Sequence, residues 1–241
     1  MHTLRRAALL VALATCGCLH SPQLLEIPAH EDPTRWAAAI AEFTEQDRAA
    51  PAARGGVVFV GSSSIRLWSS LTADMAPVPV LNRGFGGSKL FDAIYYADQL
   101  VSVHEPALVV VFSGTNDLAG EHAKSAEEVR DLFRQLVARL RSADEDLTIC
   151  YIAITPTLAR AEHMPAVREA NRLIRIECDA DSRLEFVDPS VDLVDANGQP
   201  DPQWFREDRL HLDEQGYEVW TRHVRPLVQR LYERERSLGG R

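Results

Sequence analysis

An α/β architecture, with a five-stranded parallel sheet between two helical layers, follows from three features of the chain. Five short runs rich in β-branched and apolar residues recur along it. Stretches with helical spacing of apolar residues lie between and after those runs. The segments that follow several runs are dense in Gly, Ser and Asn. Strands that alternate with helices imply a parallel sheet covered on both faces.

The elements follow in order. Arg5 and Arg6 precede an apolar run from Ala7 to Ala14, then small residues and Cys16, Gly17 and Cys18. A basic start followed by an apolar segment too short to span a bilayer reads as a signal peptide over residues 1–18. Residues 19–33, which contain Pro and show no period, read as a tether. The domain then occupies residues 34–241, opening with a helix over Trp36–Arg48, where Trp36, Ile40 and Phe43 recur at helical spacing. Strands are expected at Val57–Val60, Val78–Asn82, Leu108–Phe112, Thr148–Ile154 and Leu184–Val187. The longest helices are expected at Ser125–Leu140, His163–Asp179 and Glu214–Glu233, the first carrying Val129, Leu132, Leu136 and Leu140 on one face. Right-handed crossovers restrict such a sheet to a three-layer α/β/α, flavodoxin-like order.

Composition narrows the function. A chain of 241 residues that is 46% hydrophobic can bury one good core. A net charge of −9 argues against a nucleic-acid partner. The charges are scattered, as on an ordinary solvated surface. Cys150 and Cys178 fall in an expected strand and an expected helix, and two cysteines leave open whether they pair.

Four segments carry chemistry. The first strand runs into Gly61 and the serines Ser62, Ser63 and Ser64, just before a helix start at Ile65–Trp68. In an open α/β sheet, ligands bind beyond the carboxyl ends of the strands, and a helix start offers free N–H groups to an anion. Helix capping explains serines there equally well. The second segment is Asn82 to Ser88, where Gly84, Gly86 and Gly87 allow positive φ and close backbone approach. The third is Ser113 to Asp117, where Asn116 can turn the chain or donate its amide to an oxyanion. In the fourth, Asp208 stands three residues before His211, close enough in a tight turn to orient the imidazole. No second His or Cys stands at ligand spacing nearby, so neither a metal nor a cofactor is expected.

A Ser turn, a Gly turn, Gly-Thr-Asn-Asp and Asp-Arg-Leu-His, in that order, resemble the four blocks of the SGNH subgroup of the GDSL hydrolases from about Trp36 to Leu231. The resemblance implies Ser63 as nucleophile, with Trp68 closing its block. It also implies an oxyanion hole formed by the N–H groups of Ser63 and Gly87 and the amide of Asn116, with His211 as general base and Asp208 as its partner. Ser62 replaces the Asp that gives the family its name. Within the family the chain is similar to the branch containing platelet-activating-factor acetylhydrolase-like and short-acyl esterases, which implies hydrolysis of short-acyl, acetyl-type esters. Deacetylation of a carbohydrate, lysophospholipase and thioesterase activity stay open. The end of the signal region resembles a bacterial lipobox, which implies Cys18 as the lipidated residue and an exported protein anchored at the cell-envelope membrane. Cys16, after Thr15, fits less well. Two further readings compete: a phosphate- or flavin-binding flavodoxin-like module, and a degenerate family member with a structural role. The first gives no role to Asn116, Asp208 and His211, and the intact residue set argues against the second.

Overall fold

The computed structural model describes residues 26–239. The signal segment and Cys18 lie outside the described residues. The elements are α1 (Ala37–Ala49), β1 (Val57–Gly61), α2 (Ser63–Arg66), α3 (Leu71–Met75), β2 (Val80–Gly84), α4 (Leu90–Tyr95), α5 (Ala97–Leu100), β3 (Leu108–Phe112), α6 (Ala126–Arg141), β4 (Thr148–Ile152), α7 (Met164–Asp179), β5 (Leu184–Val187) and α8 (Glu214–Gly239). All five strands are parallel, in the order β2-β1-β3-β4-β5, which is the flavodoxin-like arrangement.

Side chains alternate across each strand and so divide the core in two. Val58, Val60, Val109, Val111, Ile149 and Tyr151 face α4 to α7. Val57, Phe59, Val110, Phe112 and Ile152 face α3 and α8. The α6 helix begins where Ser125 and Glu128 exchange capping bonds at 3.2 and 2.7 Å, and it buries Val129, Leu132, Phe133, Leu136 and Leu140. On the other face, Trp68 and Trp220 meet edge to face at 5.5 Å, and Phe112 meets Trp220 at 4.8 Å.

Among the boundaries that differ from the expected ones are three in β2 and β4. The second strand starts at Val80 rather than Val78, because Pro77 and Pro79 have no N–H to give to a ladder. It also runs on through Arg83 and Gly84, so the glycine segment begins inside the strand. The fourth strand stops at Ile152. Beyond it, the Asn171 side chain takes both backbone groups of Ile154, at 2.8 and 2.9 Å, in place of a neighbouring strand.

The end of the stretch read as a tether is packed on the domain. The Glu31 carboxylate is only 7% exposed, hydrogen-bonded to Lys124 and 3.5 Å from Lys89. Pro33 is buried, and its carbonyl accepts from the Tyr96 hydroxyl at 3.1 Å. Lys124 lies 3.6 Å from the fully buried Asp117, whose carboxylate accepts the Leu90 N–H at 3.1 Å. Burial disfavours the Asp117 charge and outweighs Lys124 and the N–H bond, raising the carboxyl to about 6.

Two predictions follow from this packing. Trp220→Ala opens a cavity in the second core and costs about 3–5 kcal/mol in denaturant unfolding, whereas Trp220→Phe costs far less. Asp117 binds protons more tightly folded than unfolded, so it lowers stability as pH rises from about 4, the ordinary carboxyl value, through about 6. Melting temperatures at pH 4 and pH 6.5 should fall more in the wild type than in Asp117→Asn; a parallel fall in both would refute the assignment.

Candidate active site

The site is assembled from loops at the carboxyl ends of β1, β2 and β3 and from the turn before α8. At the first loop, Ser62 holds the capping position of α2 but makes no side-chain cap bond. Its hydroxyl is fully buried and has no hydrogen-bond partner among the described residues. The Ser64 carbonyl accepts from the Tyr217 hydroxyl at 2.8 Å, and Tyr217 stacks on Trp68 at 5.6 Å, which fixes α2 against α8. Only Ser63 turns its hydroxyl to the imidazole: Ser63 Oγ lies 2.8 Å from His211 Nε2. The capping reading of the three serines is therefore not what the geometry supports. Ser63 stands in the first turn of α2, so its N–H has no intrahelical acceptor.

The turn Asp208–His211 folds back as its spacing suggests. Arg209 takes φ 55°, which tightens the loop, and the Arg206 N–H donates to the His211 carbonyl at 2.8 Å. Asp208 Oδ1 accepts the backbone N–H groups of Leu210 and His211, each at 3.0 Å, while Oδ2 lies 2.6 Å from His211 Nδ1. Desolvation opposes the charge on Asp208, but the His211 bond and the two backbone donors outweigh it and hold the carboxyl at about 2. An ionised carboxylate only accepts, so Nδ1 carries the proton and Nε2 of the neutral ring is left to accept from Ser63.

Of the three glycines expected to adopt positive φ, only Gly87 does, at 81°. Gly84 serves differently: a Cβ there would stand 2.2 Å from the Arg66 N–H nitrogen, so its absence lets α2 pass across the end of β2. Gly87 lines the same cleft as Ser63, Asn116 and His211. Asn116 follows β3, in a loop held by the Tyr151 hydroxyl, which donates to the Ser113 carbonyl at 2.5 Å. Its Nδ2 donates to the Ser88 carbonyl at 2.9 Å, tying the Asn loop to the Gly loop. All five residues singled out from the sequence thus meet at one place. Among the described residues no cluster of His, Cys, Asp and Glu could hold a metal ion.

Two adjoining spaces frame Ser63. One is an open cleft of about 710 Å³, walled by Trp36, Ala39 and Phe43 of the N-terminal segment and by Arg66, Phe85 and Arg160. The other is a recess of about 10 Å³ among Phe112, Thr155, Thr157 and Leu212. Sequence reasoning missed the role of Arg160, which sits in a short 3₁₀ segment, Leu158–His163, with no motif around it. It also read Trp36 and Phe43 only as helix-packing residues, since helical spacing carries no sign of a neighbouring cleft.

Residues 49–219 match the model of the GDSL-like Lipase/Acylhydrolase family. No curated protein matches the chain. Several solved structures share the fold. A Streptococcus pneumonia protein provisionally named a platelet activating factor is 17% identical, with a TM-score of 0.70 over 81% of this chain and 93% of that one. A GDSL-like lipase from Bacteroides thetaiotaomicron is 20% identical, with a TM-score of 0.63 over 83% and 98%. A catalytic mutant of an acetylxylan esterase from Geobacillus stearothermophilus is 15% identical, with a TM-score of 0.57 over 71% and 92%. At such identities the likeness is one of fold, whereas the family match spans most of the chain and includes the segments bearing Ser63, Gly87, Asn116, Asp208 and His211. The protein belongs to the GDSL-like lipase/acylhydrolase family.

Proposed function

We propose that this ester hydrolase cleaves short-acyl, acetyl-type carboxylic esters through an acyl-enzyme on Ser63. The observation that carries the reading is the chain of contacts from Ser63 Oγ to His211 Nε2 at 2.8 Å and from His211 Nδ1 to Asp208 at 2.6 Å. A serine hydroxyl attacks poorly until a base takes its proton. His211 takes it as Ser63 Oγ bonds to the ester carbon, and Asp208 stabilises the imidazolium. The carbonyl oxygen becomes an oxyanion, received by the N–H groups of Ser63 and Gly87 and by Asn116 Nδ2. His211 then returns the proton to the departing alcohol. Water repeats the sequence on the acyl-enzyme, releasing the acid.

The small recess supports an acetyl-type acyl group. A space of about 10 Å³ takes roughly one water-sized or methyl-sized group. The wide cleft is left for the alcohol. That an acetylxylan esterase shares the fold is consistent with this reading and does not identify the alcohol. A flavin- or phosphate-binding role leaves the Ser63–His211–Asp208 contacts without a purpose.

Turnover of p-nitrophenyl acetate is expected in the wild type and should fall by about 10³-fold or more in Ser63→Ala and in His211→Ala. An unchanged rate in Ser63→Ala would remove the nucleophile. Across p-nitrophenyl acetate, butyrate and octanoate, kcat/KM should drop as the acyl chain lengthens; a rise toward octanoate would favour a lysophospholipase-type substrate instead.

We also infer from Arg5, Arg6, the Ala7–Ala14 run and the Gly17-Cys18 pair that Cys18 is lipidated and holds the exported protein at a membrane of the cell envelope. Among the described residues no helix is long and apolar enough to cross a membrane. Cys18→Ser should move the protein from membrane to soluble fractions, and retention in the membrane pellet would count against lipidation.

A further inference from the structure

Asn116 has an amide that fits its site in either of two orientations, and only one of them serves an oxyanion. With Nδ2 toward the cleft, the side chain donates. Rotated by half a turn, it would present Oδ1, an acceptor, to a developing negative charge. Hydrogen bonds alone decide between the two, because the oxygen and the NH₂ group are nearly the same size.

Two groups select the orientation from opposite ends of the amide: the Ser88 carbonyl, which accepts from Nδ2 at 2.9 Å, and Arg160. Its Nη2 donates to Asn116 Oδ1 at 2.9 Å, and its Nη1 donates to the Thr115 carbonyl at 2.6 Å and to Thr115 Oγ1 at 3.1 Å. A guanidinium has five donors and no acceptor, so the amide atom facing it must be the oxygen. That leaves Nδ2 with one hydrogen for the Ser88 carbonyl and a second for the cleft. The hydrogen bonds of the guanidinium go to these neutral acceptors, while the charge of Glu162 acts on it without a hydrogen bond. A bond to a charged donor also polarises the amide, which strengthens its N–H groups as donors.

The backbone around Arg160 reaches the other half of the site. Arg160 departs from helical geometry at φ −132° and ψ 34°, and its neighbour Ala159 donates its N–H to the Arg209 carbonyl at 3.0 Å. Arg209 is the left-handed residue of the turn that brings Asp208 to His211. One short segment therefore touches both the amide donor and the acid–base turn. Arg160 itself lines the cleft beside Ser63 and His211.

We propose that Arg160 is a positioning residue for the reaction, locking the Asn116 amide with Nδ2 toward the reacting carbonyl. The proposal rests on the reading of Ser63 as nucleophile and Asn116 as oxyanion donor.

A double-mutant cycle on p-nitrophenyl acetate hydrolysis tests it, using the full domain and the variants Arg160→Ala, Arg160→Lys, Asn116→Ala and the corresponding double variants. Loss of one oxyanion donor costs about 10²–10³ in kcat. Arg160→Ala should therefore lower kcat by about tenfold to a hundredfold with KM nearly unchanged, and Arg160→Lys should recover part of the loss. In the Asn116→Ala background, removing Arg160 should change kcat by no more than about threefold, because the side chain it orients is gone. Equal losses in both backgrounds, or a loss confined to KM, would overturn the proposal. If Arg160→Ala fails to fold by circular dichroism, the same cycle run with Arg160→Lys decides the matter on the same criterion. Retained turnover in Ser63→Ala, or no loss in Asn116→Ala, would strike the underlying functional reading rather than the role of Arg160.

Discussion

Three strands end on one line, and the site hangs from that alignment. In the parallel register Gly61 pairs with both Gly84 and Phe112, so β1, β2 and β3 stop at the same level. Each loop then needs only a few residues to reach a common point: two to Ser63, three to Gly87 and four to Asn116. A slip of one residue in any pairing would turn the strand's apolar faces over as well as misplace its loop. The apolar division between the two cores thus fixes the register, and the register fixes the geometry of the candidate site. The acid–base turn comes from elsewhere in the chain, but α8 ties it in, since Tyr217 and Trp220 pack against Trp68 just beyond α2.

Much of this was legible in the residues because the signals were local. The β-branched runs ended in Gly and Ser where the strands end. Val129, Leu132, Leu136 and Leu140 marked the α6 helix by a spacing that needs no partner elsewhere. The Asp208–His211 spacing was legible for the same reason, as a three-residue turn closes within itself. What failed to show were relations between distant segments. The shortened β4 depends on Asn171, nineteen residues past its end, and nothing near Ile152 announces that the Asn171 side chain will substitute for a strand. Arg160 is one arginine among many on an acidic protein, and its meaning exists only once β3 and β4 lie side by side. The serines were ambiguous in sequence because capping and catalysis use the same residue type; the imidazole, 148 positions away, separates Ser63 from its neighbours.

The polar groups behind the Gly and Asn loops form a second layer that burial makes demanding. Asp117, Lys124, Lys89 and Glu31 sit within a few ångströms of one another, and Asp117 and Glu31 are nearly hidden from water. An unpaired charge there would cost several kcal/mol, so the two lysines answer the two carboxylates. Through Leu90 and Ser88 this layer adjoins the residues that hold the Gly and Asn loops together. The segment before α1 is part of it, through Glu31.

The α1 helix has a consequence of its own. It lies almost wholly before the stretch matched by the family, yet it supplies one wall of the cleft. It is attached by the ion pair of Asp47 with the buried Arg83, by Arg83 stacked over Phe43 at 4.9 Å and by the buried Ile40. On the proposed assignment of the cleft to the alcohol, part of the recognition of the departing half of the ester is housed in a piece of chain distinct from the one that bears Ser63, Asp208 and His211. On the same assignment, exchanging this one helix would re-address the fold to a new alcohol with the Ser63–His211–Asp208 contacts inherited intact.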